Sequence, residues 1–309
     1  MKDDYMQEVI KVNNATLKQM NSHYASNQQV PPVGALFRVK QGGTIITGYN
    51  SGKVMFQGTN VTSEVSKWGK PTTSTNKASF PKATNSTLPS GFDTWSVIGS
   101  DEVGTGSYFG PLTVASVYVT SENIETVRKL GIQDSKKLTD PEIVKMAKQL
   151  ITFLPYHVVN IMPTKYNQMI EKYNQGQLKA LCHNLALTNV LKKIQPEKPQ
   201  AILIDQFVAP STYYRYLKGQ SIIHENVYFQ TKGEQAHLAV AAASVIARYV
   251  SLEAMDELTA NAGITLPIGA GNAVDQIAAK LIRQGKPLAD YAKLHFANTQ
   301  KAQAIADNK

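Results

Sequence analysis

The spacing of apolar positions divides the chain into two unlike parts. In the first, residues 14–24 read as a helix, with Leu17 and Met20 one turn apart on one face. Residues 35–40 and 44–47 read as two strands around the Gly42-Gly43 turn, and residues 53–57 as a third, entered through Asn50, Ser51 and Gly52. A short helix over residues 61–68 completes a small antiparallel α+β unit. Arg38, Lys40 and Lys53 stand on or beside its strands, where they either solvate a surface or meet an anion.

Further along, strands alternate with helices. Residues 95–99 and 112–120 read as strands, the second rich in Val and Thr. Ile143, Met146, Ala147 and Leu150 share one face of a helix predicted over residues 141–153, and a longer helix follows over 177–194. The run at 201–204 is short and wholly apolar, which suits a strand covered on both faces. A strand at 226–230 leads to an alanine-rich helix predicted over 234–258, and two more helices finish the chain. The alternation predicts an α/β domain with a mixed sheet.

Between the two parts, residues 70–91 are dense in Ser, Thr, Asn, Pro and Lys and carry no acid. Such a stretch buries too little apolar surface to offset its ordering entropy, so a flexible basic linker is expected. The organisation read from this is an N-terminal domain over 1–69, a linker over 70–92 and a larger domain over 93–309.

Charge narrows the partners. A formal +9 and a pI near 9.3 favour a polyanion, either nucleic acid or a membrane surface. The apolar run at 238–247 is shorter than the ~20 residues that span a bilayer, and the first residues lack the apolar stretch of a signal peptide. Cys182 is the lone cysteine, which excludes an intramolecular disulfide and a metal finger. These features predict a cytoplasmic protein without a membrane segment, and nothing in them requires a protein partner or more than a monomer.

The acids suggest the chemistry. Asp101 and Glu102 end the first strand of the larger domain, Asp205 ends the apolar run, and Glu234 opens the alanine-rich helix. A carboxylate directly after a buried strand is costly unless it is paired, hydrogen-bonded or bound to a cation. Each acid also has an ordinary reading, as a turn residue or as a charge in a helix's first turn. Gathered together they would repel one another, and two divalent cations ~3.5–4 Å apart would remove that conflict and serve in-line cleavage of a phosphodiester. Neighbours in a regular strand point to opposite faces, so Asp101 and Glu102 share a site only if the strand stops there, and Val103-Gly104-Thr105-Gly106 offers the break.

These residues carry a family resemblance. The segment from Gly99 to Pro111, containing Gly104-Thr105-Gly106, resembles the first motif of the type 2 ribonucleases H, and Asp134-Ser135-Lys136-Lys137-Leu138 resembles the second. Ile204-Asp205-Gln206-Phe207, Lys232-Gly233-Glu234 and the segment from Ala241 to Arg248 complete the set in order, and the segment from Lys293 to Thr299 looks like a C-terminal family segment. Five separated motifs over residues 95–300 make the likeness specific. A fourth acid that is Glu234 where ribonuclease HII usually has Asp, and Gly52 to Gly58 ahead of the linker, point to the ribonuclease HIII branch.

The resemblance implies a ribonuclease H-like mixed sheet flanked by helices, preceded by a small substrate-binding domain similar to the TATA-binding protein. It implies a metal-dependent endonuclease that cuts the RNA strand of RNA–DNA hybrids and leaves 5′-phosphate and 3′-hydroxyl ends. Asp101, Glu102 and Asp205 are then ligands of Mg²⁺ or Mn²⁺, two ions in the active complex, and Glu234 completes the catalytic set. Gly104, Thr105 and Gly106 would read ribose 2′-hydroxyls, with backbone contacts favoured because Thr105 stands where many relatives have Arg or Lys. Lys136 and Lys137 would bind phosphate. His183 and Cys182 are read as packing or surface residues, and the run from Ala241 to Ser244 as a close-packing device. Other readings are a ribonuclease HII-like enzyme that cuts at single ribonucleotides, a hybrid-binding module without catalysis, and an ATPase phosphate loop at Ile98–Gly106. The last lacks a second glycine-rich loop after Asp205.

Overall fold

The computed structural model describes residues 6–32, 34–68, 88–132 and 138–308. Two compact units, Met1–Lys82 and Ala83–Lys309, make up the chain. Most of the expected linker, and both Lys136 and Lys137, lie outside the described residues.

The first unit contains strands β1 (Met6–Lys11), β2 (Gln28–Gln29), β3 (Ala35–Gln41), β4 (Thr44–Tyr49) and β5 (Lys53–Gly58), with helices α1 (Asn14–His23) and α2 (Val61–Ser66). All pairings are antiparallel, in the order β1-β5-β4-β3-β2. Positive φ at Gly42 (50°) and Gly43 (86°) closes the β3–β4 hairpin with a turn whose twist matches that of the strands. Strand alternation sends Phe37, Val39, Ile46, Val54 and Phe56 to one face, where they bury Leu17 and Met20 of α1 and Val61 and Val65 of α2. The other face receives Arg38, Lys40 and Lys53. The edge strands β1 and β2 are additions to the sequence reading.

The second unit is the larger. Its strands are β6 (Val97–Val103), β7 (Leu112–Val119), β8 (Tyr156–Ile161), β9 (Ala201–Asp205) and β10 (Val227–Gln230). Its helices are α3 (Ile124–Lys129), α4 (Asp140–Leu150), α5 (Pro163–Ile170), α6 (Gln175–Lys193), α7 (Pro210–Tyr216), α8 (Leu238–Ala262), α9 (Asn272–Arg283) and α10 (Asn298–Asp307). The sheet runs β10-β9-β6-β7-β8, with β10, β9 and β6 parallel and β7 and β8 antiparallel.

Helices cover both faces, which is why every residue of β7 is buried. On one face α8 packs its alanines against Val97, Ala115, Val117 and Leu203. On the other, α6 packs Ala180, Leu187 and Val190 against Ile98, Tyr118, Ile202 and Ile204. Gly99 makes the first contact possible, because a Cβ there would stand 2.2 Å from the backbone of Ala239 and Val240. At 25 residues α8 is long and apolar enough to cross a bilayer, unlike the shorter run read from sequence, yet 67 % of its most apolar window is buried, as in a core helix.

Candidate active site

Strand parity decides where the acids point. Strand β6 does not stop at Asp101 and Glu102, as sequence reasoning required for a shared site. It stays paired with β7 as far as Val103↔Thr113, because the antiparallel ladder continues past the last parallel pair, Ser100↔Ile204. The two acids therefore face opposite sides of the sheet.

Asp101 lies on the α8 side. Its Oδ1 accepts the Glu102 backbone N–H at 2.7 Å, and it interacts with the Ser244 hydroxyl of α8. Burial, with the charges of Asp205 and Glu102 adding to it, pushes its pKa from 3.8 up to about 7. Asp205, at the end of β9, shares that side and is fixed by the Gly233 N–H, which donates to its Oδ1 at 2.8 Å. Burial raises its pKa too, and the charges of Glu102 and Glu234 act in the same direction.

Glu102 is held differently. Its Oε1 accepts from Lys179 Nζ at 2.6 Å and its Oε2 lies 2.9 Å from His183 Nε2, both on α6. Burial alone would raise its pKa, but His183 and Lys179 outweigh burial and bring it down to about 2. His183 is itself braced, with Nδ1 2.7 Å from Ser100 Oγ and its ring stacked on Phe207 at 5.1 Å. Lys179 Nζ stands 4.1 Å from the centre of the same Phe207 ring.

Glu234 also departs from expectation. It sits in a separate 3-10 turn, Gly233–Gln235, and α8 starts only at Leu238. The cap of α8 is His237, whose Nδ1 accepts from Ala239 N at 3.0 Å while Nε2 donates to the Trp95 carbonyl at 3.1 Å. That assigns the neutral tautomer, and burial lowers the His237 pKa to about 4. His237 thus shapes the helix start and has no evident part in the acidic set.

After β6 the chain turns through Gly104, Thr105 and Gly106. Gly104 has φ +94°, and a Cβ on it would stand 2.2 Å from the Pro111 carbonyl oxygen, so the fold itself requires glycine there. At Gly106 a Cβ would meet nothing within 4 Å. The Thr105 carbonyl accepts from Gln175 Nε2 at 3.1 Å, and its Oγ1 is buried without a hydrogen-bond partner. Behind this loop, the buried Lys293 ammonium donates to the carbonyls of Ser107 (2.8 Å) and Gly110 (2.6 Å).

Among the described residues, no three acidic, histidine or cysteine side chains converge closely enough to enclose a metal ion as they stand. The donor set nonetheless fits a hard divalent cation. Asp101 and Asp205 are partly buried carboxylates on one side of the sheet, neither has an ion-pair partner among the described residues, and burial together with the charges of the other acids raises the pKa of each. A bound divalent charge relieves that repulsion, and oxygen-only ligands suit Mg²⁺ or Mn²⁺.

Sequence reasoning missed Lys179 and read His183 as a packing or surface residue, whereas the buried imidazole also bonds Glu102. Their i, i+4 spacing in the helix predicted over 177–194 puts both on one face and was the available signal.

Mixed-sheet topology with carboxylates at adjoining strand ends defines the ribonuclease H-like class of nucleases, and comparison with known proteins agrees. The family model described as Ribonuclease HII matches residues 98–299, and one described as Domain of unknown function (DUF3378) matches residues 7–80. Ribonuclease HIII of Leuconostoc mesenteroides subsp. mesenteroides is 57 % identical over 97 % of this chain and 100 % of its own length. That of Bacillus subtilis is 48 % identical over 97 % and 98 %. The crystal structure of Bst-RNase HIII in complex with Mn²⁺ is 40 % identical, with a TM-score of 0.70 over 98 % of this chain and 100 % of that one. The chain belongs to the ribonuclease HIII family.

Proposed function

We propose that this chain is a metal-dependent endonuclease that hydrolyses the RNA strand of RNA–DNA hybrids, leaving 5′-phosphate and 3′-hydroxyl ends. One observation carries the reading. Asp205, ending the parallel strand beside β6, is close enough to Glu102 and Glu234 for their charges to raise its pKa, as its own charge raises that of Asp101. Four acids from three places in the sequence thus act on one small region.

In this reading Asp101, Glu102 and Asp205 hold Mg²⁺ or Mn²⁺ and Glu234 completes the set, with Asp101 and Glu102 reaching the ions from the two faces of β6 at the edge it presents beyond its last pair with β9, Ser100↔Ile204. When bound, such ions supply the positive charge that in-line phosphodiester hydrolysis needs at the attacking and departing oxygens. The chain's own groups do the positioning. The Gly233 N–H orients Asp205, Ser244 orients Asp101, and Lys179 with His183 orient Glu102. Backbone groups of Gly104, Thr105 and Gly106 would meet the 2′-hydroxyls of the RNA strand, with Gly106 leaving room for a ribose to approach. Lys136 and Lys137 would take phosphates. The first unit, with Arg38, Lys40 and Lys53 on the sheet face opposite its helices, would add sequence-independent grip on the duplex. A monomer in the cytoplasm is the setting we infer, in keeping with a single, buried cysteine.

The test is cleavage of end-labelled duplexes in Mg²⁺, Mn²⁺ or EDTA, using an RNA–DNA hybrid, DNA with one embedded ribonucleotide, and plain DNA. Metal-dependent cutting of the hybrid, with little at the single ribonucleotide, is expected. Efficient cutting at the single ribonucleotide would instead assign ribonuclease HII-like specificity. Tight hybrid binding with no cutting in any metal would overturn the enzymatic reading.

A further inference from the structure

Lys179 is nearly buried, and a lysine is seldom found there without a purpose for its charge. Its Nζ lies 2.6 Å from Glu102 Oε1, with side-chain exposures of 10 % and 11 % for the two partners. His183 takes the other carboxylate oxygen, so both oxygens of Glu102 are engaged from α6. The seat is rigid. Phe207 lies against both the ammonium and the imidazole, and Ser116 donates to Ser100 Oγ at 2.9 Å behind the histidine. The side-chain stem tethers this ammonium, so it stays within reach of Glu102 when a second cation arrives.

We propose that Lys179 is an internal counter-ion of the acidic site, stabilising Glu102 when no metal is bound and competing with the divalent ion for that carboxylate. The inference rests on Glu102 being a metal ligand. Two cations sharing one carboxylate repel each other, and in a weakly solvated setting that repulsion is poorly screened. Lys179 therefore keeps the metal-free fold intact and lowers affinity for the metal. By linkage the two effects are one coupling, readable from either side.

The experiment is a Mn²⁺ titration by calorimetry, paired with thermal melting in EDTA and in saturating Mn²⁺, with no nucleic acid present. In K179M the Mn²⁺ dissociation constant should fall by roughly five-fold or more. K179M should melt earlier than wild type in EDTA and regain most of the difference in Mn²⁺, while K179R stays near wild type in both. In an E102Q background the Lys179 substitution should no longer alter Mn²⁺ affinity. Equal or weaker Mn²⁺ binding by K179M would overturn the proposal. So would K179M and K179Q chains that fail to fold with and without Mn²⁺, which would assign Lys179 to packing. Wild type that neither binds nor is stabilised by Mn²⁺ would remove the metal reading of the acids, and this inference with it.

Discussion

Asp101 and Glu102 are adjacent in sequence but stand on opposite faces of β6, one beside Ser244 of α8 and the other clasped by Lys179 and His183 of α6. Their pKa values move apart accordingly, Asp101 up to about 7 and Glu102 down to about 2. Glu102 has a built-in cation, whereas Asp101 has none among the described residues. Metal demand should therefore fall mainly on Asp101 and its neighbour Asp205.

Asp101 makes the metal-free protein sensitive to pH. Its folded pKa lies above its unfolded value of 3.8, so the folded state holds a proton that the unfolded state has lost. The stability this confers is complete below about pH 4 and is lost as pH rises through about 7. Asp101→Asn should flatten that fall and stabilise the chain in EDTA at pH 8 by on the order of 2 kcal/mol. Urea unfolding between pH 4 and 8 reads it directly, and a D101N profile as steep as wild type would show that another group is responsible.

Glu234→Gln keeps the size and shape of the side chain and leaves the His237 cap of α8 in place, so the melting temperature in EDTA should stay close to that of wild type. Its cleavage rate at fixed metal should drop by roughly 10–100-fold. A fully active, well-folded E234Q would reduce Glu234 to a surface charge.

Two glycines of the loop after β6 should separate fold from substrate. Gly104→Ala meets the Pro111 carbonyl in a left-handed backbone conformation and should destabilise by about 1–3 kcal/mol. Gly106→Ala meets no part of the protein and should melt as wild type does. Its KM for the hybrid should rise by roughly ten-fold, the equivalent of about 1.4 kcal/mol. An unchanged KM would remove the loop from the substrate interface.

Lys293 gives a slope of the opposite sign. Burial lowers its pKa from 10.5 to about 7, so above that pH the folded state has released a proton that the unfolded state keeps. Stability from this group therefore rises with pH between about 7 and 10.5. Lys293→Met should abolish that rise and also lower stability outright, by leaving the carbonyls of Ser107 and Gly110 without their donor. Denaturation of both proteins at pH 6 to 10 checks it.

Removing residues 1–82 should weaken hybrid binding far more than it changes the single-turnover rate at saturation. The slope of log affinity against log salt should shrink by roughly 0.9 for each phosphate that the first unit neutralises. A truncated chain with the wild-type affinity and slope would dissociate Arg38, Lys40 and Lys53 from the duplex.

Local pattern determined much about this protein. Periodicity in residues 112–120, 201–204 and 141–153 was enough to place β7, β9 and α4, because burial on both faces or on one imposes its own spacing on the chain. The acids were legible as well, since charges at the ends of apolar runs are conspicuous. Tertiary structure decided the rest. Whether β6 ends at Asp101 depends on β7, a partner whose hydrogen bonds no local pattern records. That ladder turned the two acids apart, and the packing of α6 on the sheet brought Lys179 and His183, some eighty residues away, onto Glu102. The sequence names which side chains carry charge, but a charge's partner is fixed by register and packing, which arise only when distant segments meet.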